Sequence, residues 1–321
     1  MYRNDLSIED LTMWFKLTLI KNGLGPARII KLLSYYSSNL EEIFNLNNYE
    51  LLQTRLMTKK MIDSFEKLKN SSDDNFYNLI NTCKANGIKI IPLLDSNYPQ
   101  KLKRIPNPPL TLYVKGNLNL LKDNRSTIAI VGTREPSIKA KTKAYEEAKK
   151  LSENDMTIIS GGALGIDTEA YRGVLDSKNK KSIVVLGAGL LHPYPPENKS
   201  LFDKIIENNG LMISENTPSF TGTKISYVQR NRITSGLADF IYLIAANATG
   251  GGFQQARIAY SQRKPIFVPR LTEEILPNEG IKIAINEFGA SEIKDSGAII
   301  EQIQRLNKEI PEPTLTKYLK P

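Results

Sequence analysis

The chain has 321 residues, 40% of them hydrophobic and 24% charged, with 43 Lys and Arg against 34 Asp and Glu for a net charge of +9. That length allows one large or two ordinary domains, and the lone cysteine and lone histidine, Cys83 and His192, exclude an internal disulfide, a Cys- or His-based zinc site and a histidine-based catalytic pair. No cationic apolar leader or membrane-length apolar run is read in it, so a cytoplasmic protein without membrane contact is expected, and its basic surplus favours either a polyanionic partner or a plain Lys-rich surface.

In chain order, residues 1–70 read as a small all-helical domain. Leu11, Trp14, Phe15, Leu17 and Ile20 make a helical stripe, and the break Gly23-Leu24-Gly25-Pro26 starts a second helix over 27–35. This pattern resembles helix-hairpin-helix or SAM-like modules, and plain helical packing explains it equally well. A helix is expected over 76–86, with Cys83 as an inert core thiol. Residues 71–126 read as a connecting segment with strands at 88–94 and 110–114, held extended between them by Pro99, Pro106, Pro108 and Pro109.

From residue 127 the pattern changes. Buried, β-branched runs end on glycines in TIAIVGTREPS, MTIISGGALGID and SIVVLGAGL, and helices are expected over 140–151, 167–175 and 199–208. Strands over 211–214, 240–245 and 265–268 follow, with helices over 253–263 and 280–290 and a polar loop through Gly222. Strands alternating with helices specify an α/β fold. It is a doubly wound, mostly parallel sheet over 127–300, with its ligand site at the strand C-termini. Residues 301–321 read as a loosely ordered tail.

The turns carry the candidate chemistry. Glycine lets backbone approach a ligand, and free amides at a helix start hold anions. Gly132, Thr133, Arg134 and Ser137 offer a hydroxyl, amide and guanidinium clamp for phosphate. Gly161, Gly162 and Gly165 make a second amide nest, with Asp167 as cap of the next helix. Arg230, Asn231 and Arg232 put two guanidiniums around an amide; either both face the turns or one ties loops to strand ends. Gly250, Gly251 and Gly252 form a third nest.

The dinucleotide fingerprint fails, because Gly187-Ala188-Gly189 lacks the third glycine and His192-Pro193-Tyr194-Pro195 breaks any helix; no P-loop is present either. Some nucleotide N-glycosidases place a catalytic acid on the helix after such a triple glycine. Here that helix reads Phe253-Gln254-Gln255-Ala256-Arg257. No cofactor and no metal are expected.

Taken together, Tyr98-Pro99, Ile105-Pro106-Asn107-Pro108-Pro109, Val131-Gly132-Thr133-Arg134, Gly161 through Asp167, Leu186 through Leu190, Tyr194-Pro195, Asn198, Ser214-Glu215, Arg230-Asn231-Arg232-Ile233 and Val268-Pro269 resemble the DNA-processing protein A (DprA or Smf) family in order and wording. The resemblance implies an extended Rossmann-like domain over 127–300 in a dimeric single-stranded DNA-binding protein that loads a RecA-like recombinase during natural transformation. It also implies a DNA pocket using Arg134 and Lys181, bordered by the glycine turns and Arg230-Asn231-Arg232. From the residues themselves, Tyr194 is a nearby aromatic on which bases could stack. Departures include Gly162, Tyr171 where the family usually has His, the triple glycine, and Arg270 after Val268-Pro269. No winged-helix module is expected after Ala290. The alternative function is a nucleotide-binding sensor or nucleotide N-glycosidase using the same pocket.

Overall fold

The computed structural model describes residues 6–20, 24–122, 126–271 and 275–309. Gly23 and the last part of the expected tail, residues 310–321, lie outside that set.

Among the described residues six helices come first: α1 (Ile8–Thr18), α2 (Pro26–Tyr35), α3 (Leu40–Asn45), α4 (Asn48–Gln53), α5 (Lys59–Lys69) and α6 (Asp74–Ala85). Local sequence starts several of them. Ser7 with Asp10 and Asn47 with Glu50 form reciprocal capping boxes, each satisfying two amides that the first turn leaves without partners. Pro26 stands at the first position of α2, where its missing N–H costs nothing. Short polar helices of this kind need tertiary packing to persist. It comes from a core that runs without a break from Trp14, Leu17 and Phe65 to Leu112 and Ile213 of the sheet. Trp14 Nε1 donates to Thr111 Oγ1 at 2.8 Å, fixing α1 on the sheet.

The nine strands among the described residues are β1 (Lys89–Pro92), β2 (Thr111–Gly116), β3 (Thr127–Val131), β4 (Thr157–Ser160), β5 (Ser182–Leu186), β6 (Leu211–Ser214), β7 (Phe240–Leu243), β8 (Ile266–Pro269) and β9 (Ser291–Ile293). They form one sheet in the order β1-β2-β6-β5-β4-β3-β7-β8-β9. From β6 to β9 all pairings are parallel, while β1 and β2 add an antiparallel edge. So the segment read as a connection supplies two sheet strands.

The remaining helices are α7 (Gln100–Lys103), α8 (Asn119–Lys122), α9 (Ile138–Glu153), α10 (Ile166–Leu175), α11 (Lys199–Glu207), α12 (Lys224–Gln229), α13 (Asn231–Leu237), α14 (Gly251–Ser261), α15 (Glu279–Phe288) and α16 (Ser296–Glu309). Both faces of the sheet are covered, and β3 shows why a parallel strand reads as continuously apolar. Ile128 and Ile130 pack into one core with Ala144 and Leu151 of α9, and Ala129 and Val131 pack into the other.

Two expectations change here. The stretch before Ile233, read without regular structure, folds as α12 and α13, because Thr223 and Ser226 build a capping box that polarity alone conceals. The loosely ordered tail does not begin at 301. Residues 301–309 continue α16, which buries Ile299 and Ile303 against the α9 side of the sheet.

Strand order reverses between β3 and β7, since β4, β5 and β6 extend one way and β8 and β9 the other. In open α/β sheets that switch point marks the crevice at the strand C-termini.

Candidate functional site

The glycine turns meet at this crevice, and they are packed against one another. Gly165 has φ +84°, and a Cβ there would lie 2.5 Å from the Thr133 carbonyl oxygen. A Cβ on Gly252 would lie 2.7 Å from the Gly132 backbone. These glycines let three loops close together.

The second turn is already filled from within. Oδ2 of buried Asp167 accepts from the amides of Gly161 at 3.1 Å and Ala163 at 3.2 Å. The amide nest expected at Gly161 and Gly162 therefore has a resident carboxylate. Asp167 is also not the helix cap that was expected: Gly165 takes that position, and Asp167 lies inside α10 and closes the loop before it. Burial raises the Asp167 carboxyl above its ordinary range, and the charge of Arg230 opposes the rise, as do the loop amides.

The hydroxyls of the first turn face the protein too. Thr133 Oγ1 accepts from the Glu135 amide at 3.2 Å. Ser137 Oγ caps α9 by accepting from Ala140 at 3.2 Å and also accepts from Leu276 at 3.3 Å.

What remains open is a cleft of about 40 Å³ between Arg134, Gly161, Gly187, Tyr194, Tyr227 and Arg230. Arg230 is 8% exposed, and its guanidinium occupies the space that any side chain at Gly161 would need. Burial lowers its affinity for the proton, while the nearby Asp167 charge restores part of it. Arg134 differs in every respect: it is exposed and makes no side-chain hydrogen bond or ion pair among the described residues. Beside it the rings of Tyr194, 48% exposed, and Tyr227 lie 5.2 Å apart at 34°. Burial, then Tyr194, raises the Tyr227 hydroxyl, and Arg134 pulls it back down. The cleft thus combines one uncommitted cation and one buried cation with an accessible aromatic pair. An anion with a planar, apolar neighbour fits that combination.

Of the expected site residues, Arg134, Gly161 and Arg230 come together. Lys181 does not. It stands at the opposite, N-terminal end of β5, about 20 Å along the strand from Gly187, and its Nζ is bound to Asp155 Oδ1 at 2.6 Å. Arg232 turns away as well, despite its neighbour. Nη1 and Nη2 each meet a Glu215 carboxylate oxygen at 2.6 Å, and Nε donates to the Asn107 carbonyl at 2.8 Å. Asn231 is buried at the start of α13, and its carbonyl accepts from Gln255 Nε2 at 2.8 Å. The triple glycine opens α14 beside the β3 turn, outside the cleft lining, with space around Gly251. Tyr227 is the contributor that sequence reading missed. Its signal is the spacing of three residues to Arg230, which places both on one side of a helix once α12 is known.

Tyr171, the departure from His, is fully buried, and its hydroxyl lies 2.8 Å from both the Ser160 and Ile183 carbonyl oxygens, which share its single proton. It braces β4 against β5 behind the cleft.

Residues 89–304 match the family described as DNA recombination-mediator protein A. The DNA processing protein DprA of Bacillus subtilis is 32% identical over 231 residues, covering 72% of this chain and 76% of that protein. Protein Smf of Borreliella burgdorferi is 31% identical over 258 residues, 78% of each. Among solved structures, DprA of Streptococcus pneumoniae superposes with a TM-score of 0.75 at 25% identity, over 94% of this chain and 99% of that one. DNA processing protein A of Helicobacter pylori, whose structure addresses its single-stranded DNA binding mode, superposes at 0.60 and 29% identity, over 68% and 96%.

Proposed function

The chain belongs to the DNA recombination-mediator protein A family, and from that premise we propose that it is a non-enzymatic, homodimeric protein that binds single-stranded DNA and delivers it to a RecA-like recombinase during DNA uptake. The observation that carries this reading is Arg134, an exposed guanidinium without a partner among the described residues, beside the accessible Tyr194 and Tyr227 rings.

A backbone phosphate is held by the Arg134 fork, and Arg230 adds positive potential from below without leaving its packed position. Base stacking on an exposed tyrosine needs an unpaired base whose π-face is free, which selects single strands without selecting sequence. The single-strand binding named for the Helicobacter pylori relative supports the same ligand class. The net charge of +9 concentrates a polyanion near the cleft.

The mononucleotide and glycosidase alternatives are less well supported. Sites that enclose small ligands measure about 300–1,000 Å³, against about 40 Å³ here. Gln254 and Gln255 stand where a catalytic acid would be needed, and the Gln255 amide is spent on Asn231 and Ser235. The buried Asp167 is committed to loop amides behind the cleft.

The test is a titration of a labelled oligothymidylate at several salt concentrations, with wild type and Arg134→Ala. Binding that weakens with salt, and weakens further in the variant, is the expected result. Equal affinity of the two proteins, or no binding at low salt, overturns the proposal.

A further inference from the structure

A second cleft, of about 410 Å³, lies between the N-terminal helices and the sheet. We propose that it is a nucleobase subsite, in which the DNA strand leaving the Arg134 cleft is held by the helical module as well as by the α/β core. This inference rests on the single-strand reading above and extends it to a part of the chain that the reading does not use.

The lining suits a planar, largely apolar group. Phe15 and Phe76 stack with centroids 5.8 Å apart and planes at 15°, forming an aromatic wall where α1 meets α6. Leu19, at the end of α1, is 56% exposed beside them, and Pro108 and Pro109 also line the cleft. The volume falls within the range that encloses a base or nucleoside, unlike the first cleft. Polar groups border this apolar slot. Tyr113, 3% exposed, lines it, and its hydroxyl makes no hydrogen bond among the described residues. The exposed Gln229 side chain likewise has no partner among them. A base edge offers donors and acceptors to both.

Continuity selects the occupant. Tyr227 and Arg230 line the first cleft, and Gln229 and Arg232 line the second, so the two clefts flank the same elbow between α12 and α13. A strand anchored by phosphate at Arg134 passes that elbow to reach Phe15 and Phe76. The Glu215–Arg232 pair and the Asn107 carbonyl, all joined by hydrogen bonds, hold the elbow against the wall of the second cleft.

Trp14 is a built-in reporter. It is the single tryptophan of the chain, and its indole is hydrogen-bonded at 2.8 Å to Thr111, which lines the second cleft. The experiment compares oligothymidylates of about 4 and about 16 nucleotides, which bracket the usual span of one single-strand site. Wild type and Leu19→Glu are titrated with both, following anisotropy and Trp14 emission. The longer oligomer is expected to bind wild type more tightly and to change Trp14 emission, which the shorter one leaves unchanged. Leu19→Glu is expected to weaken the longer oligomer by about fivefold or more, the least that loss of one stacked base predicts. Gln229→Glu, at a second exposed position, is expected to act in the same direction and guards against a folding defect peculiar to Leu19.

Wild-type affinity of both variants for the longer oligomer, with Trp14 emission unchanged at saturation, overturns the subsite and leaves the cleft to another class of ligand such as a peptide. Failure of wild type to bind either oligomer overturns the single-strand reading itself, which separates the two failures.

Discussion

Arg230 and Arg232 are two residues apart, and the structure gives them opposite environments, so replacing Arg232 is the sharpest test of how the cleft is built. The Arg232 and Glu215 side chains are 16% and 20% exposed. Arg232→Ala removes two charge-assisted bonds to Glu215 at 2.6 Å, a bond to Asn107 at 2.8 Å and one to the Gln229 carbonyl at 3.0 Å. It also leaves the Glu215 carboxylate mostly enclosed without its counter-charge. Breaking one side of a fully buried pair costs about 3–5 kcal/mol, and the partial exposure here argues for the lower end, about 3 kcal/mol. For a chain of this size each kcal/mol lowers the midpoint by about 2 °C, giving a fall of about 6 °C. Glu215→Ala is expected to fall by a similar amount. In a double-mutant cycle the two losses should overlap by about 2 kcal/mol, because each removes the same interaction. The assay is thermal and urea unfolding of the four proteins, run beside single-strand binding at a temperature where all are folded. Stability should drop while affinity for an oligothymidylate of about 4 nucleotides, too short to reach the second cleft, changes little. An Arg232→Ala protein of unchanged midpoint that has lost binding of this short oligomer would refute the reasoning, since Arg232 would then be a contact of the first cleft and not a tie between β6, α13 and the Asn107 loop.

Other outcomes follow from the same geometry. Arg134→Ala should leave the midpoint within about 1 °C, because the side chain is exposed without a partner among the described residues, yet reduce the salt dependence by about 0.7 in log–log slope, as for one lost phosphate contact. Lys181→Ala should leave single-strand affinity near wild type, measured by the same titration, since its ammonium is bound to Asp155 far from the cleft. Gly165→Ala should destabilise by about 2 kcal/mol or more in urea unfolding, since φ is +84° and the new Cβ would lie 2.5 Å from a backbone oxygen. Tyr171→Phe should cost about 1–2 kcal/mol by the same assay, removing the one hydroxyl proton that two buried carbonyls share. Burial pushes the Cys83 thiol up to about 11. Its native alkylation should therefore be slow at pH 8 and rise about tenfold per pH unit up to that value, whereas unfolded chain should react at once. Fast labelling of the native protein at pH 8 would contradict the buried placement.

Much of this protein is determined locally and was legible in its residues. Five-residue apolar runs ending on glycine give the strands and turns, capping residues such as Ser137 give helix starts, and the wording around Gly132-Thr133-Arg134 carries the family resemblance. The place of Arg134 was legible as well, because a residue just past a parallel strand lies at the crevice end of the sheet. What the sequence could not settle are relations between distant segments. Lys181 is the exception: a residue just before a parallel strand is carried to the end opposite the turn, so its separation from Arg134 was implicit in the strand reading, and only the family resemblance had put the two together. Whether Arg230 or Arg232 faces the cleft depends on the rotation of α12 and α13, an element hidden by its polar composition. The second turn offers free amides on paper, and only the fold brings Asp167 back from α10 to fill them. The antiparallel edge of β1 and β2 and the cleft behind it arise the same way: no local pattern specifies a pairing such as Tyr113 with Ser214, which is decided by burial of the shared core.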